Sequence, residues 1–365
     1  MQIFCSTPKA QSLQKLLDDS FYGKHIPIDG MFELTHKCNF NCIHCYGKNE
    51  RLSEDLTLEQ IKSILKQVHD EGCLSLAFTG GEALCRSDFK DIYLEAKKMG
   101  FMVILLSNAS LVTEDIAKLF YDYPLCYFST TMYGFSRETY KAVTGREENY
   151  DLFMRGLNLL DKYNIPIELK TIALRENYND IEKIYNFATK KGYPFRCSFS
   201  IRATNDGDYS TIDNSITPAE MLKLDTDILK NRAEFWKLIA LSSNEESGRT
   251  ERCKRRCKYL CNAGENNFLI DASGNVHICA SERRYGISLF EHSFSECWNH
   301  LMPNIYSQKV FSYFPCHNCK YIRYCEQCSA IFDFNQDKVA VSKDRCELAR
   351  LRYEWCLSFR KNGMK

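Results

Sequence analysis

The sequence predicts a parallel α/β protein, and three observations carry that prediction. Six short apolar stretches alternate with amphipathic helical stripes between residues 31 and 205, the pattern of strands joined by helical crossovers into one parallel sheet. Apolar residues make up 44% of the 365 residues, enough for a sizeable core. The segments that interrupt the rhythm are rich in Cys, Gly and Asn. They follow the ends of the apolar stretches, where α/β sheets and barrels gather ligands. The residues alone leave open whether the sheet is doubly wound or a barrel.

The elements follow in order. Residues 1–30 form a weakly patterned N-terminal extension with a short helix expected over Ser12–Leu17. A strand over Met31–Thr35 leads into Cys38-Asn39-Phe40-Asn41-Cys42-Ile43-His44-Cys45-Tyr46. Thr57-Leu58-Glu59-Gln60 is a capping box, and Ile61, Ile64, Leu65 and Val68 continue it at helical spacing. A strand over Leu74–Phe78 ends in Thr79-Gly80-Gly81-Glu82. Phe89, Ile92, Tyr93 and Ala96 mark a helix closed by Gly100. A strand over Phe101–Leu106 runs into Ser107-Asn108, and Ile116, Leu119 and Phe120 mark the next helix. Strands are expected over Leu125–Met132, Pro166–Ala173 and Phe195–Ile201. Helices through Phe153, Gly156, Leu157 and Leu160, and through Ile181, Ile184, Tyr185 and Ala188, separate them. Residues 206–252 read as a helical linker, in which Thr217-Pro218-Ala219-Glu220 opens a helix. Phe268–Cys279 reads as a β-hairpin about Ser273-Gly274-Asn275.

A net charge of +1 gives no reason to expect nucleic-acid binding or adhesion to an anionic membrane. No signal segment follows Met1 and no apolar run approaches a membrane span, so a soluble cytoplasmic protein is expected. Cysteine is the outlier, at 19 residues. In a cytosolic chain such a content suggests metal or redox chemistry rather than disulfides. Eleven of the 19 lie between Cys253 and Cys356, and three form the loop Cys38-x3-Cys42-x2-Cys45. Three thiolates on a short loop make a soft site suited to zinc or an iron–sulfur cluster, with one position left open. A zinc knuckle with a distant fourth ligand is the plainer alternative.

With Gly80-Gly81-Glu82 after the second strand and the six-strand alternation, this loop resembles that of the radical S-adenosylmethionine (SAM) enzymes. The resemblance covers residues 31–205 and implies a partial (β/α)6 TIM-like barrel. It implies that Cys38, Cys42 and Cys45 hold a [4Fe–4S] cluster whose fourth iron is chelated by SAM. An electron from that cluster would then cleave SAM to a 5′-deoxyadenosyl radical that takes hydrogen from a substrate. It further implies that Gly80, Gly81 and Glu82 meet the methionine ammonium, Ser107 and Asn108 the ribose, and Tyr46 the adenine. Thr131 would stand near the SAM carboxylate, with a cationic partner drawn from Lys170, Arg146 or Arg202.

The second cysteine field is Cys253, Cys257 and Cys261, then Cys279, then Cys316-x2-Cys319-x5-Cys325-x2-Cys328, then Cys346. A zinc ribbon wants about 15–20 residues between its paired cysteines, and five stand here. The pattern resembles the SPASM extension of radical SAM enzymes over residues 253–365, departing from it by one residue between Cys325 and Cys328. That resemblance implies a small cysteine-rich domain with two auxiliary [4Fe–4S] clusters, three clusters in all. One would use Cys261, Cys279, Cys328 and either Cys257 or Cys253; the other Cys316, Cys319, Cys325 and Cys346. The class is dominated by enzymes that modify peptides, so the leading expectation is a thioether or carbon–carbon cross-link, or another oxidative change, in a ribosomally made peptide. A formylglycine-generating maturase and an enzyme acting on a haem precursor are the alternatives within this chemistry; a non-catalytic metal-binding scaffold is the alternative outside it. Thirty residues ahead of the barrel are expected to be too few for leader recognition, so either a separate leader-recognition protein is a partner or the substrate is bound another way; a flavodoxin- or ferredoxin-type electron donor is the other expected partner. Tyr133, Lys170 and Arg202 are the candidates for a catalytic role, with Glu168 and Asp206 also placed where a substrate could sit.

Overall fold

The structure, a computed structural model, describes residues 25–50, 54–242, 258–261, 263–309, 315–316, 318–331, 333–335, 338–340 and 342–363. The helix expected over Ser12–Leu17, and Cys253 and Cys257, lie outside the described residues.

Six strands form in the expected order: β1 Asp29–Glu33, β2 Ser75–Thr79, β3 Met102–Ser107, β4 Tyr127–Thr131, β5 Ile167–Ile172 and β6 Phe195–Ser198. Each pairs in parallel with the next. The crossovers carry α1 Leu58–Asp70, α2 Phe89–Lys98, α3 Glu114–Asp122, α4 Arg137–Thr144, α5 Glu148–Lys162 and α6 Ile181–Lys191. This α/β arrangement is a partial barrel of six strands. In α1 both halves of the capping box are present, and Ile61, Ile64, Leu65 and Val68 are buried. Burying each such side chain contributes about 1.5–3 kcal/mol before the entropy of ordering it.

Every residue of β2 is buried, as a strand covered on both faces requires. On the inner face Met31, Ala77, Ile104, Leu106 and Tyr127 form one apolar cluster. Strand alternation then places Ser129 and Thr131 on that same inner face, further along β4. Ser129 lies opposite Glu168 and Thr131 opposite Lys170, which is itself opposite Arg196. The barrel interior is therefore apolar toward the start of its strands and polar toward their carboxyl ends.

The hairpin forms as β7 Asn267–Ile270 and β8 Asn275–His277. It joins the barrel's own sheet rather than a separate layer. β7 runs parallel beside β1, and β8 and β9 (Ile287–Ser288) continue outward, giving the order β6-β5-β4-β3-β2-β1-β7-β8-β9. Gly30 permits this contact, since a Cβ there would lie 2.4 Å from the Phe268 ring.

The chain divides into two compact units, and the division does not follow sequence order. One takes the chain to Asn214 together with Ala263–Ile305; the other takes Ser215–Asn262 and Tyr306–Lys365. In the second unit, α7 Pro218–Lys223 and α8 Lys230–Leu241 flank a π-helical turn over Leu224–Ile228. A two-stranded hairpin, β10 Asp333–Asn335 and β11 Lys338–Ala340, precedes α9 Lys343–Gly363. Trp236, Ala240, Tyr324, Ala349 and Cys356 form the core of this unit, so the stretch read as a linker supplies part of its interior. Among the described residues no helix is long and apolar enough to cross a membrane.

Candidate functional site

The cysteine loop leaves β1 and is tied down on both sides. Asn41 N–H donates to the Thr144 carbonyl (3.1 Å) and Ile43 N–H to that of Val143 (3.0 Å), at the carboxyl end of α4. Within the loop Cys45 N–H donates to Cys42 O (3.1 Å), and Phe40 N–H points at Cys38 Sγ (3.4 Å). Tyr133, just past β4, stands among all three cysteines. Burial pushes its hydroxyl pKa well up, and the neighbouring Cys42, Cys38 and Cys45 add to the rise. The His44 ring packs on Tyr133 at 5.5 Å. Burial lowers the His44 pKa to about 4, which keeps the ring neutral at pH 7, and its buried Nδ1 has no hydrogen-bond partner.

Gly80 and Gly81 answer first to the backbone leading into this loop. A Cβ on Gly80, at φ +136°, would lie 2.3 Å from the Thr35 carbonyl oxygen; one on Gly81 would lie 2.3 Å from that of Lys37 and 2.7 Å from that of His36. In this close approach Gly81 N–H donates to Thr35 O and Glu82 N–H to Lys37 O, both at 2.8 Å. The Glu82 side chain is buried and braces the third strand's loop: Asn108 N–H donates to Oε2 (2.7 Å) and Leu84 N–H to Oε1 (3.0 Å). Burial raises the Glu82 pKa, while these donors and the Ser107 hydroxyl pull it back down.

The loop after β3 joins the same network. Asn108 Nδ2 donates to Asn39 Oδ1 (2.9 Å), Asn39 Nδ2 donates to Ser110 Oγ (2.8 Å), and Asn108 Oδ1 accepts from the Ser110 hydroxyl (2.6 Å). Asn39 lies between Cys38 and Cys42, so the second and third strand loops lock onto the cysteine loop. Sequence reasoning missed Asn39 and Ser110, which lack a spacing of their own. It also missed Glu33, although the alternation Met31, Glu33 along β1 puts a charge on the inner face.

Glu33 closes one side of the mouth. Arg283, beyond β8, donates to both its oxygens (3.1 and 2.5 Å). Tyr46 lies beside this pair with the Arg202 guanidinium 3.8 Å from its ring centre. Burial raises the Tyr46 pKa, helped by Glu33 and opposed by Arg202 and Arg283. On the opposite side Glu168 accepts from Ser129 Oγ (2.6 Å) and from Arg196 Nη2 (2.8 Å). Lys170, two residues on, makes no ion pair among the described residues. Burial lowers its pKa to about 8, Arg196 adding to the drop and Glu168 opposing it. Thr131 faces it across the strand pair. Arg146 is exposed, and Asp206 is held in a surface turn by Asn49 Nδ2 (2.8 Å).

In the second unit Cys316 and Cys319 pack against Leu260 and Ile322, and Cys325 against the Trp236 core. Cys346, in the first turn of α9, has its thiol pKa raised by burial and by the nearby Cys325 and Cys319. Leu260 N–H donates to Ser329 Oγ (3.1 Å), drawing the segments of Cys261 and Cys328 together. Cys279 belongs to the first unit. Cys297 and Cys356 are buried. Among the described residues no three His, Cys, Asp or Glu side chains gather closely enough for a single metal ion. Zinc draws its thiolates to within about 2.3 Å of one centre. Cys38, Cys42 and Cys45 all lie within electrostatic range of the Tyr133 hydroxyl, and three thiols on one loop suit a soft, sulfur-bridged group.

Comparison with known proteins agrees with this geometry. Residues 32–188 match the model of the Radical SAM superfamily. The chain is 25% identical over 173 residues to the Fe-coproporphyrin III synthase of Methanosarcina barkeri, covering 47% of this chain and 43% of that protein. It spans about half the length of the curated relatives it matches. Among solved structures, anSMEcpe with bound AdoMet and Cp18Cys peptide superposes with a TM-score of 0.65 at 19% identity, over 93% of this chain and 100% of that one. Streptococcus suis SuiB bound to its precursor peptide SuiA gives 0.63 at 15% identity, over 88% and 75%. At these identities the likeness is one of fold. Residues 32–188 therefore form a radical SAM domain, the domain of an enzyme superfamily, and Cys38, Cys42 and Cys45 lie within it.

Proposed function

We propose that this protein is a radical SAM enzyme that modifies a ribosomally made peptide, with residues 31–205 as its catalytic barrel and 253–365 as a SPASM extension. The observation that carries the peptide reading is the reach of the fold likeness. It runs through the cysteine-rich region to 93% of the chain, in a protein solved with a peptide beside AdoMet.

In this reading Cys38, Cys42 and Cys45 hold a [4Fe–4S] cluster. The carbonyls at Gly80 and Gly81, with Glu82, take the methionine ammonium, a charge-assisted contact. Ser107 and Asn108 meet the ribose and Tyr46 the adenine, with Thr131 close to the methionine carboxylate. Of Lys170, Arg146 and Arg202, the cation for that carboxylate is Lys170: Arg146 is exposed, Arg202 is stacked on Tyr46, and Lys170 faces inward with no carboxylate of its own. When bound, cluster and SAM supply a reducing electron and a primary carbon radical able to take hydrogen from an unactivated carbon. The chain's own work is positional. The Asn39–Asn108–Ser110 and Glu82 braces hold three loops in register, and the apolar inner cluster keeps water from below. Tyr133 screens the cysteines. Cys316, Cys319, Cys325 and Cys346 hold one auxiliary cluster; Cys261, Cys279 and Cys328, with Cys257 or Cys253, hold the other. A flavodoxin- or ferredoxin-type protein supplies electrons.

A second reading, action on a tetrapyrrole, has the M. barkeri synthase in its favour. Anaerobic reconstitution tests the common chemistry. About twelve irons per chain are expected, with reductant-dependent formation of 5′-deoxyadenosine. Replacing Cys38, Cys42 and Cys45 by Ala is expected to abolish cleavage while leaving about eight irons. Bound zinc without SAM turnover would sink the proposal. Mass shifts in a short peptide encoded beside the gene, set against turnover of an iron coproporphyrin, decide the substrate.

A further inference from the structure

The second unit contains an ion network that the radical chemistry described above does not use. Asp225, on the π-helical turn, is fully buried and lies between two arginines. Arg352 Nε donates to Asp225 Oδ2 (2.7 Å), and Arg232 Nε donates to Oδ1. Both arginines also donate to Glu326 Oε2, at 2.7 and 2.8 Å. Arg352 is itself buried, with its guanidinium 4.4 Å from the centre of the Trp236 ring, and donates to the Tyr324 carbonyl (3.2 Å). It thus grips the residues on either side of Cys325. It does so from α9, less than two turns beyond Cys346. Arg345, directly before Cys346, reaches Met221 Sδ (3.9 Å) and lies within electrostatic range of Cys325, Glu326, Asp225 and Arg352.

Among the described residues three arginines and two carboxylates make up this network, and the Arg345 guanidinium stands on the residue directly before Cys346. Buried ion pairs seldom stabilise a fold more than apolar packing of the same volume, so stability is a weak reason for such a network. A cluster held by four thiolates is a dianion, and a trianion once reduced. A fixed positive charge beside it favours the reduced form, net charge being among the factors that set cluster potentials. We propose that the Asp225–Arg232–Glu326–Arg345–Arg352 network sets the reduction potential of the cluster held by Cys316, Cys319, Cys325 and Cys346, raising it so that this cluster accepts an electron. The proposal rests on the auxiliary-cluster reading above. The step is a one-electron transfer: the cluster gains the electron, and a carbon-centred substrate radical loses it, together with a proton released to solvent, to become a closed-shell product. Arg345 and Glu326 are positioning residues for that step, acting through the charge they place beside the thiolates.

The experiment is an EPR-monitored redox titration of the full reconstituted chain. The signal to follow is the one that Cys346→Ala removes, together with about four irons. If Cys346→Ala removes neither iron nor signal, the cluster reading itself fails. With the signal identified, Arg345→Gln is expected to move its midpoint to more negative potential, Arg345→Lys to restore it, and Glu326→Gln to move it to more positive potential. The opposed signs separate charge from mere loosening of the fold, which would shift both variants alike. Midpoints unchanged in both variants, or shifted in the same direction, would overturn the proposal while leaving the cluster assignment standing.

Discussion

The two cysteine sites are held by different physics. In the barrel, the loop of Cys38, Cys42 and Cys45 is fixed mainly by main-chain hydrogen bonds and by contacts so close that only glycine fits at positions 80 and 81. In the second unit, the segment of Cys325 is held by one side chain, since Arg352 donates to the Tyr324 carbonyl before it and pairs with Glu326 after it. The first site is thus a matter of shape and the second of charge. A substitution that adds volume is expected to damage the one, and a substitution that removes charge the other.

The largest contrast comes from Arg352→Met. It leaves Asp225 buried with only Arg232 to balance it, and breaking a buried pair costs about 3–5 kcal/mol. Chemical denaturation of the full chain reads the loss; a variant as stable as the parent would show that the network carries no such load. Next comes Gly81→Ala, whose new methyl meets two backbone carbonyls that cannot step aside without moving the cysteine loop. Overpacking of this kind costs about 1–3 kcal/mol, and SAM binding is expected to weaken with it. Gly72→Ala is the control, because nothing lies within 4 Å of the new methyl, although φ there is positive (+87°) and at Gly81 it is not. Its cost is limited to the left-handed strain of about 1–2 kcal/mol, and SAM binding should be unchanged. Equal losses of SAM affinity in the two variants would refute the close-packing argument.

The smallest effect is a pH dependence. Burial holds the Lys170 pKa down to about 8, so the charged form prevails below that pH and is lost as pH rises through it. If Lys170 meets the carboxylate of SAM, the affinity of the free protein for SAM falls as pH rises through about 8. Lys170→Arg should flatten the profile, because a guanidinium stays charged. Lys170→Met should weaken binding at pH 7 and remove the pH dependence. An unchanged profile in both variants would assign the contact to another cation.

Much of the barrel was legible before any coordinates. Each of the six strands overlaps the stretch that periodicity marked, with β1 beginning two residues earlier and β6 ending three residues sooner, and the capping box of α1 lies where cap chemistry put it. Those signals are local, set by side-chain alternation and by backbone groups a few residues apart. The loop Cys38-x3-Cys42-x2-Cys45 was legible for the same reason. The braces were not. Asn39 meets Asn108, and Glu33 meets Arg283, across sequence gaps that no spacing rule describes.

The sequence by itself determined the alternation of strands and helices, the placing of three thiols on one loop and the concentration of cysteine toward the end of the chain. Only the tertiary structure decided that β7 runs beside β1, so that residues 263–305 belong with the barrel and residues 215–241 with the second cysteine-rich unit. It also decided that Gly80 and Gly81 serve the backbone at residues 35–37. Which edge a strand pairs with, and which backbone a turn approaches, depend on surfaces that exist only once distant segments have packed. A side-chain period states which face is buried, but not against what.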